Sequence, residues 1–185
     1  PDTGPDGVIN LRANGITVTC QGTVFVGTGT GTGIYVNYTN GDTISGCTFI
    51  NYSKVANIYY SNLTTIDSGN FTGNSNGVYL YYDRNTSVGN SFFRNSAGSG
   101  VQSAGTGNAS IFNCTFSGLS SATGIYITSG TNGANVTNNT ITNYTYGISY
   151  STGFADVNNR ITNNTISFST SGFYLGGYNA NLSFN

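Results

Sequence analysis

Seven segments of the chain set a small or polar residue before an apolar one, usually with tyrosine next: Gly33-Ile34-Tyr35, Asn57-Ile58-Tyr59, Gly77-Val78-Tyr79, Gly100-Val101-Gln102, Gly124-Ile125-Tyr126, Gly147-Ile148-Ser149 and Gly172-Phe173-Tyr174. Their spacings are 24, 20, 23, 24, 23 and 25 residues. A period of this size is the mark of a solenoid, in which one repeat cannot bury its own apolar face and does so by stacking on the next. A second column keeps the same period, as triples of an apolar residue, a small or amide residue, and an aromatic or isoleucine. These are Ile44/Cys47/Phe49, Ile66/Gly69/Phe71, Val88/Ser91/Phe93, Ile111/Cys114/Phe116, Val136/Asn139/Ile141 and Ile161/Asn164/Ile166, with Leu182 and Asn185 opening a seventh.

Polar, glycine-rich turns such as Thr39-Asn-Gly-Asp42 and Gly73-Asn-Ser-Asn-Gly77 separate the columns. Helical periodicity is absent from the pattern, and the chain has no Glu. Short strands with turn residues at every corner predict an all-β parallel β-helix of about seven coils, each strand pairing with its equivalent one coil away at about 4.8 Å. Such stacking predicts a corner ladder of Cys47, Gly69, Ser91, Cys114, Asn139, Asn164 and Asn185. In its second half each amide is expected to bond the identical amides above and below.

The stretches Asn135-Val-Thr-Asn-Asn-Thr-Ile141 and Arg160-Ile-Thr-Asn-Asn-Thr-Ile166, followed by Tyr146-Gly-Ile148 and Ser171-Gly-Phe173, carry a family resemblance. They resemble repeats of right-handed parallel β-helix proteins of the pectin-lyase-like superfamily, particularly the Asn/Thr/Gly-rich versions in archaeal and bacterial surface proteins. The resemblance covers residues 33–185, leaving 1–32 as an N-terminal segment and opening coil of the same single domain. It implies the fold and leaves the activity open, because one fold hosts many functions.

Charged residues make up only 6% of the chain and the net charge is −1. Neither a nucleic-acid footprint nor a basic membrane patch is available, and no run of apolar residues is long enough to span a bilayer. No nucleic-acid partner and no membrane insertion within this segment are expected. The 27 Asn and 27 Gly would suit disorder, but 14 Tyr, 11 Phe and the apolar columns supply a core. No basic-then-apolar leader begins at Pro1, so the sequence reads as a mature or excised segment.

Superfamily enzymes acting on acidic polysaccharides imply clustered carboxylates with Arg or Lys nearby. Asp83 and Asp156 occupy equivalent places but three coils apart, about 14 Å by strand spacing. Asp42 and Asp67 fall in other columns, and Asp2 and Asp6 have no register. With no His and one lysine, Lys54, the expectation is that the chain is not an enzyme and has no catalytic residue. No metal site is expected from three cysteines without histidine. Cys47 and Cys114 are three coils apart, too far for a bridge. Cys20 comes next to Cys47 if the stretch between them makes one coil with a bulging loop, and a disulfide is then open to the pair.

Strand alternation turns Tyr35, Tyr59, Tyr79, Tyr126 and Tyr174 outward as a possible interaction face. Exposed-sheet packing, a subunit contact and a platform for sugar rings all fit such a strip. Acceptor motifs for N-glycosylation occur at Asn37, Asn51, Asn62, Asn70, Asn85, Asn108, Asn113, Asn135, Asn138, Asn143, Asn163 and Asn181. Random placement of this composition would give about seven, so the excess points to a glycosylated outer surface. Asn51 and Asn143 are expected to be the most accessible, and Asn113, Asn138 and Asn163 too buried to modify.

Neither end of the sequence supplies a visible cap, which suits a piece of a longer solenoid or subunits stacked end to end. The leading expectation is a non-catalytic extracellular structural glycoprotein at the cell surface, a subunit of a filament or surface layer. It would assemble with itself and carry no cofactor beyond covalent N-linked glycans. A carbohydrate-binding or adhesin module using the tyrosines comes second, and a polysaccharide lyase or hydrolase last.

Overall fold

A computed structural model describes residues 7–128, 130–151, 158–167 and 169–176. The chain is a right-handed parallel β-helix in which three sheets run the length of the solenoid. The long sheet stacks Gly7–Leu11, Thr32–Asn37, Lys54–Tyr59, Asn76–Tyr81, Val101–Ala104, Thr123–Thr128, Tyr146–Ser151 and Ser171–Gly176 in chain order. The second and third sheets have seven short strands each, the second beginning at Thr17–Thr19 and the third at Val24–Val26. One strand from each makes a coil, so residues 7–26 form coil one, in register with the next. Among the described residues no helix is long and apolar enough to cross a membrane.

The predicted triples stack as read. Ile44, Ile66, Val88, Ile111, Val136 and Ile161 form one inward column. Phe49, Phe71, Phe93, Phe116, Ile141 and Ile166 form another. Phe93 and Phe116 stack with centroids 4.7 Å apart, both with no exposed surface. Burial of this order stabilises by about 2–3 kcal/mol per aromatic side chain, which is how a chain so poor in charge and helix formers holds together.

The recurring glycine of the long sheet has a steric cause. A Cβ on Gly33 would meet the Phe49 ring at 2.6 Å, and one on Gly100 would meet Phe116 at 2.5 Å. The phenylalanine column thus lies against the glycine backbone of the long sheet. Coil three breaks the rule, with buried Val55 at the position of Gly33.

That exception corrects the tyrosine register. Tyr35 pairs with Asn57, and Asn57 with Tyr79, so the outward column reads Tyr35, Asn57, Tyr79, Gln102, Tyr126, Ser149, Tyr174. Tyr59 lies one column further along, beside Asn37 and Tyr81. The strand Lys54–Tyr59 carries two inward residues, Ala56 and Ile58, and without the glycine the larger one imitates the repeat.

The coils turn their corners with one or two residues at positive φ, and among the described residues glycine fills ten such positions, from Gly15 to Gly133. Ten of the seventeen non-glycine residues in this conformation are asparagine, the side chain that tolerates it best. Part of the chain's wealth of Asn and Gly is therefore the conformational demand of its corners.

Candidate functional site

At the corner where the long sheet hands over to the second, Asn40, Asn62, Arg84, Gly107 and Asn132 are bridged coil to coil. Two residues earlier stand Tyr38, Tyr60, Tyr82, Gly105 and Gly130. All five have positive φ: 54°, 49° and 55° for the tyrosines, 64° and 81° for the glycines. A bulky residue in the left-handed region is strained by about 1–2 kcal/mol, so glycine is the undemanding choice and three tyrosines in succession are not.

These tyrosines form a solvent-facing stack. Tyr38 and Tyr60 lie 5.3 Å apart at 3°, and Tyr60 and Tyr82 5.2 Å apart at 14°. Their exposures are 70%, 42% and 48%. A second stack, Tyr59 on Tyr81 at 4.8 Å, meets the first edge-on through Tyr59–Tyr60 and Tyr81–Tyr82. Tyr79 joins Tyr81 at 5.7 Å and 20°. Six rings of coils two to four thus make one continuous patch. Burial raises the Tyr60 phenol, with Tyr59, Tyr38 and Tyr82 adding to it. A hydrogen bond with Tyr82, then burial, pushes Tyr81 up to about 12. Tyr60 and Tyr81 therefore keep their phenol hydroxyls across the physiological range.

Of the tyrosines marked from the sequence, Tyr59 and Tyr79 lie in this patch, Tyr35 precedes it in the outward column, and Tyr126 and Tyr174 lie in later coils. The corner residues Tyr38, Tyr60, Tyr81 and Tyr82 escaped the motif because they sit beside turns. Their signal was present as Tyr59-Tyr60 and Tyr81-Tyr82, one coil of 22 residues apart.

A cleft of about 190 Å³ opens beside the patch, lined by Lys54, Asn76, Val78, Tyr79, Ser99 and Gln102. The Lys54 ammonium lies 5.1 Å from the centre of the Tyr79 ring. Under the corner sits Asp83, fully buried, accepting hydrogen bonds from the backbone N–H of Ser61 at 2.9 Å and of Tyr81 at 3.0 Å. Burial raises its carboxyl to about 7 against the pull of those two bonds.

The aspartates are not gathered together. Asp42 accepts from Ile16 N–H and the Thr39 hydroxyl, and Asp67 from Ser68 and Asn90. Asp2, Asp6 and Asp156 lie outside the described residues, as do Asn181 and Asn185. Cys20 and Cys47 are joined in a disulfide, Cα atoms 4.8 Å apart, and Cys114 is a buried free thiol raised to about 12 by burial.

The corner ladder works differently from the expected amide-on-amide stack. Asn139 accepts from Cys114 N–H at 2.9 Å and donates to the Ile111 carbonyl at 3.0 Å, closing the turn of the coil before it. Asn164 repeats this on Asn139 N–H and the Val136 carbonyl, with one direct amide–amide bond of 2.9 Å between the two. Ser91 likewise accepts from Gly69 N–H but donates to the Gly89 carbonyl of its own coil, while Cys47 is taken up by its disulfide. Backbone groups are the more numerous partners because each corner leaves an N–H and a carbonyl to satisfy.

The glycosylation motifs acquire a conformational origin. Asn51, Asn85, Asn108, Asn113, Asn138, Asn143 and Asn163 all hold positive φ and are exposed. The next side chain points inward in each, and Ser or Thr follows at the start of the next strand or turn. Asn113, Asn138 and Asn163 are therefore not buried, contrary to expectation: the buried positions are their neighbours Cys114 and Asn139, with Asn164 partly covered. Asn62, Asn85 and Asn108 spend their amides in an outer ladder that begins at Asn40, with bonds of 3.0, 3.0 and 3.1 Å. Asn37, Asn70 and Asn135 lie within strands, their Oδ1 atoms buried.

The sequence from residue 8 to 185 matches the family described as periplasmic copper-binding protein (NosD). The chain belongs to the NosD family. No curated protein is a significant match. Among solved structures, the A-module of the Azotobacter vinelandii mannuronan C-5 epimerase AlgE6 has 19% identity and a TM-score of 0.55 over 82% of this chain. This chain spans about half of that module, 53%. An alginate lyase from Paenibacillus sp. str. FPU-7 has 11% identity and a TM-score of 0.51, over 93% of this chain and 86% of the lyase.

These likenesses establish the fold, and they correct the expectation that the chain is not an enzyme: an epimerase and a lyase are built on the same architecture. The copper in the family's description does not fit the residues of this segment. Copper takes imidazole, thioether or thiolate donors. The chain has no His and no Met, two of its three cysteines are disulfide-bonded, and the third is buried. Among the described residues no three His, Cys, Asp or Glu side chains are gathered.

Proposed function

We propose that this chain is an extracytoplasmic β-helix protein that binds a glycan across the tyrosine patch of coils two to four. The observation that carries the reading is the strained run Tyr38, Tyr60, Tyr82 at a corner where Gly105 and Gly130 serve the fold equally well. Aromatic rings kept at a conformational cost, exposed and contiguous, suit a ligand with flat apolar faces and many hydroxyls. A sugar chain has both. Phenol hydroxyls at the ring edges can donate to and accept from its hydroxyl groups.

The family's periplasmic description and the Cys20–Cys47 disulfide support an oxidising compartment outside the cytoplasm. Proteins named for mannuronan and for alginate share the fold, in keeping with a polymeric sugar as ligand. The chain has no Trp, so its fluorescence comes from its 14 tyrosines, six of them in the patch. Titration with neutral glucose, galactose and mannose hexasaccharides should change that fluorescence saturably for at least one. Tyr60→Gly with Tyr82→Gly should remove the response. Equal responses from wild type and the double variant would overturn the reading.

A further inference from the structure

The tyrosine patch does not end at the corner. Tyr79 carries it back along the strand Asn76–Tyr81 to the cleft beside Lys54. We propose that this cleft is a subsite for a sugar bearing an anionic substituent, a carboxylate or sulfate, so that the bound glycan crosses the long sheet along its strands rather than following the solenoid axis. The inference rests on the glycan reading given above.

Size, charge and chemistry support it. A volume of about 190 Å³ corresponds to about six waters of bulk liquid, the scale of one sugar ring. Asn76, Ser99 and Gln102 offer donors and acceptors for ring hydroxyls, and Tyr79 forms an apolar wall. Lys54 is the one lysine of the chain and lies over that wall. No described carboxylate faces it: Asp42 and Asp83 sit in corner turns and Asp67 ends a strand of the second sheet, each already accepting hydrogen bonds. The ammonium is held by a ring face on one side, which leaves donors for an anionic oxygen on another.

The direction follows from ring contacts. Tyr79 stacks on Tyr81, and Tyr81 meets Tyr82 edge-on at 4.4 Å. From Asn76 to Tyr82 the strand advances about 20 Å. That path accommodates several sugar units, with the acidic one at the Lys54 end.

The test compares three probes of equal length: a neutral glucose hexasaccharide, the glucuronate hexasaccharide of the same linkage, and a sulfated glucose hexasaccharide. Affinities are measured by calorimetry at low and high salt. A single lysine permits a selective second readout, since reductive ¹³C-methylation labels only Lys54 and the N-terminus. At least one acidic probe should bind about five- to tenfold tighter than the neutral one at low salt. Salt should shrink that advantage, and the Lys54 signal should shift with the acidic probe only. In Lys54→Gln the acidic-to-neutral ratio should fall to one. Which acidic probe gains identifies carboxylate or sulfate as the recognised group. Equal binding of all three to wild type would overturn the subsite and leave the glycan reading standing. An acidic advantage that survives Lys54→Gln would likewise overturn it. Binding of no probe would overturn the subsite, and with it the glycan reading where the galactose and mannose hexasaccharides also fail to bind.

Discussion

The corner between the long and second sheets is built twice from different residues. Coils two to four turn it with Tyr38, Tyr60 and Tyr82, and coils five and six with Gly105 and Gly130, in the same left-handed backbone. Just inward of these residues lie Thr39, Ser61 and Asp83 in the first set, Thr106 and Thr131 in the second, all buried. The glycine version shows what the fold requires of the corner, which is a residue tolerant of positive φ and a small polar group beneath it. Whatever the tyrosine version adds is additional to folding.

The largest effect is therefore expected where the first set is converted to the second. Replacing Tyr38, Tyr60 and Tyr82 together by glycine relieves about 1–2 kcal/mol of backbone strain at each site. It forfeits stacking of about 0.5–1.5 kcal/mol per ring pair. Glycan affinity should fall at least about tenfold while unfolding free energy moves by only about 1–2 kcal/mol. Calorimetric binding and urea denaturation measure the two quantities. A collapse in stability would mean that the tyrosines are structural after all.

Asp83 is the ionisable residue beneath the first set, and its counterparts Thr106 and Thr131 do not titrate. Its carboxyl, ordinarily at 3.8, is raised to about 7 by burial. Between these values the unfolded chain has released the proton and the folded chain still holds it. Stability is then greatest at and below about pH 4, falls as pH rises toward 7, and levels off above. The total change is on the order of 4 kcal/mol at most. Asp83→Thr, which copies the second set, should flatten that part of the profile in denaturation midpoints taken from pH 4 to 8. A wild-type profile already flat would show that Asp83 is ionised in the fold.

The two sets were unequally legible in the sequence. The inward columns of the second and third sheets could be read because Ile, Val and Phe recur around a small or amide residue at a fixed place from coil two onward. The long sheet was misread by two residues at Val55-Ala56-Asn57, since the glycine that the Phe column imposes elsewhere is missing there. The tyrosine corner was hidden for a different reason. Its residues occupy turns, where period-2 alternation says nothing about direction, and their strain appears only once φ is known. The Lys54 cleft needs three adjacent coils to exist, so its pattern could not emerge before Lys54, Asn76 and Ser99 were placed on one edge.

Gly105 couples the two sets directly. A Cβ there would come within 2.5 Å of the Tyr82 ring, which leans over the glycine of the next coil. Gly105→Ala should cost about 1–3 kcal/mol in wild type, from the positive φ and from the displaced ring. With Tyr82→Gly in place only the backbone contribution remains, and the cost should drop by about 1 kcal/mol. A cost that is the same in both backgrounds would place Tyr82 away from Gly105 in solution.

The smallest effect concerns what the two sets share. The outer amide ladder runs Asn40, Asn62, Asn85, Asn108, crossing from tyrosine coils to glycine coils without interruption. Gly133 follows Asn108 in that column, so the ladder has no further amide there. Asn85→Ala removes two of its three bonds at once and sits at φ 52°, where alanine is less tolerated than asparagine. These bonds are exposed and water replaces them readily, so the expected loss is about 1–2 kcal/mol, most of it from backbone conformation. Asn85→Gly separates the contributions: it removes the same amide but tolerates the conformation, and should cost less than the alanine. A glycine variant as unstable as the alanine one would instead assign the stabilisation to the ladder itself, making the amides a continuous brace between the tyrosine coils of the solenoid and the glycine coils.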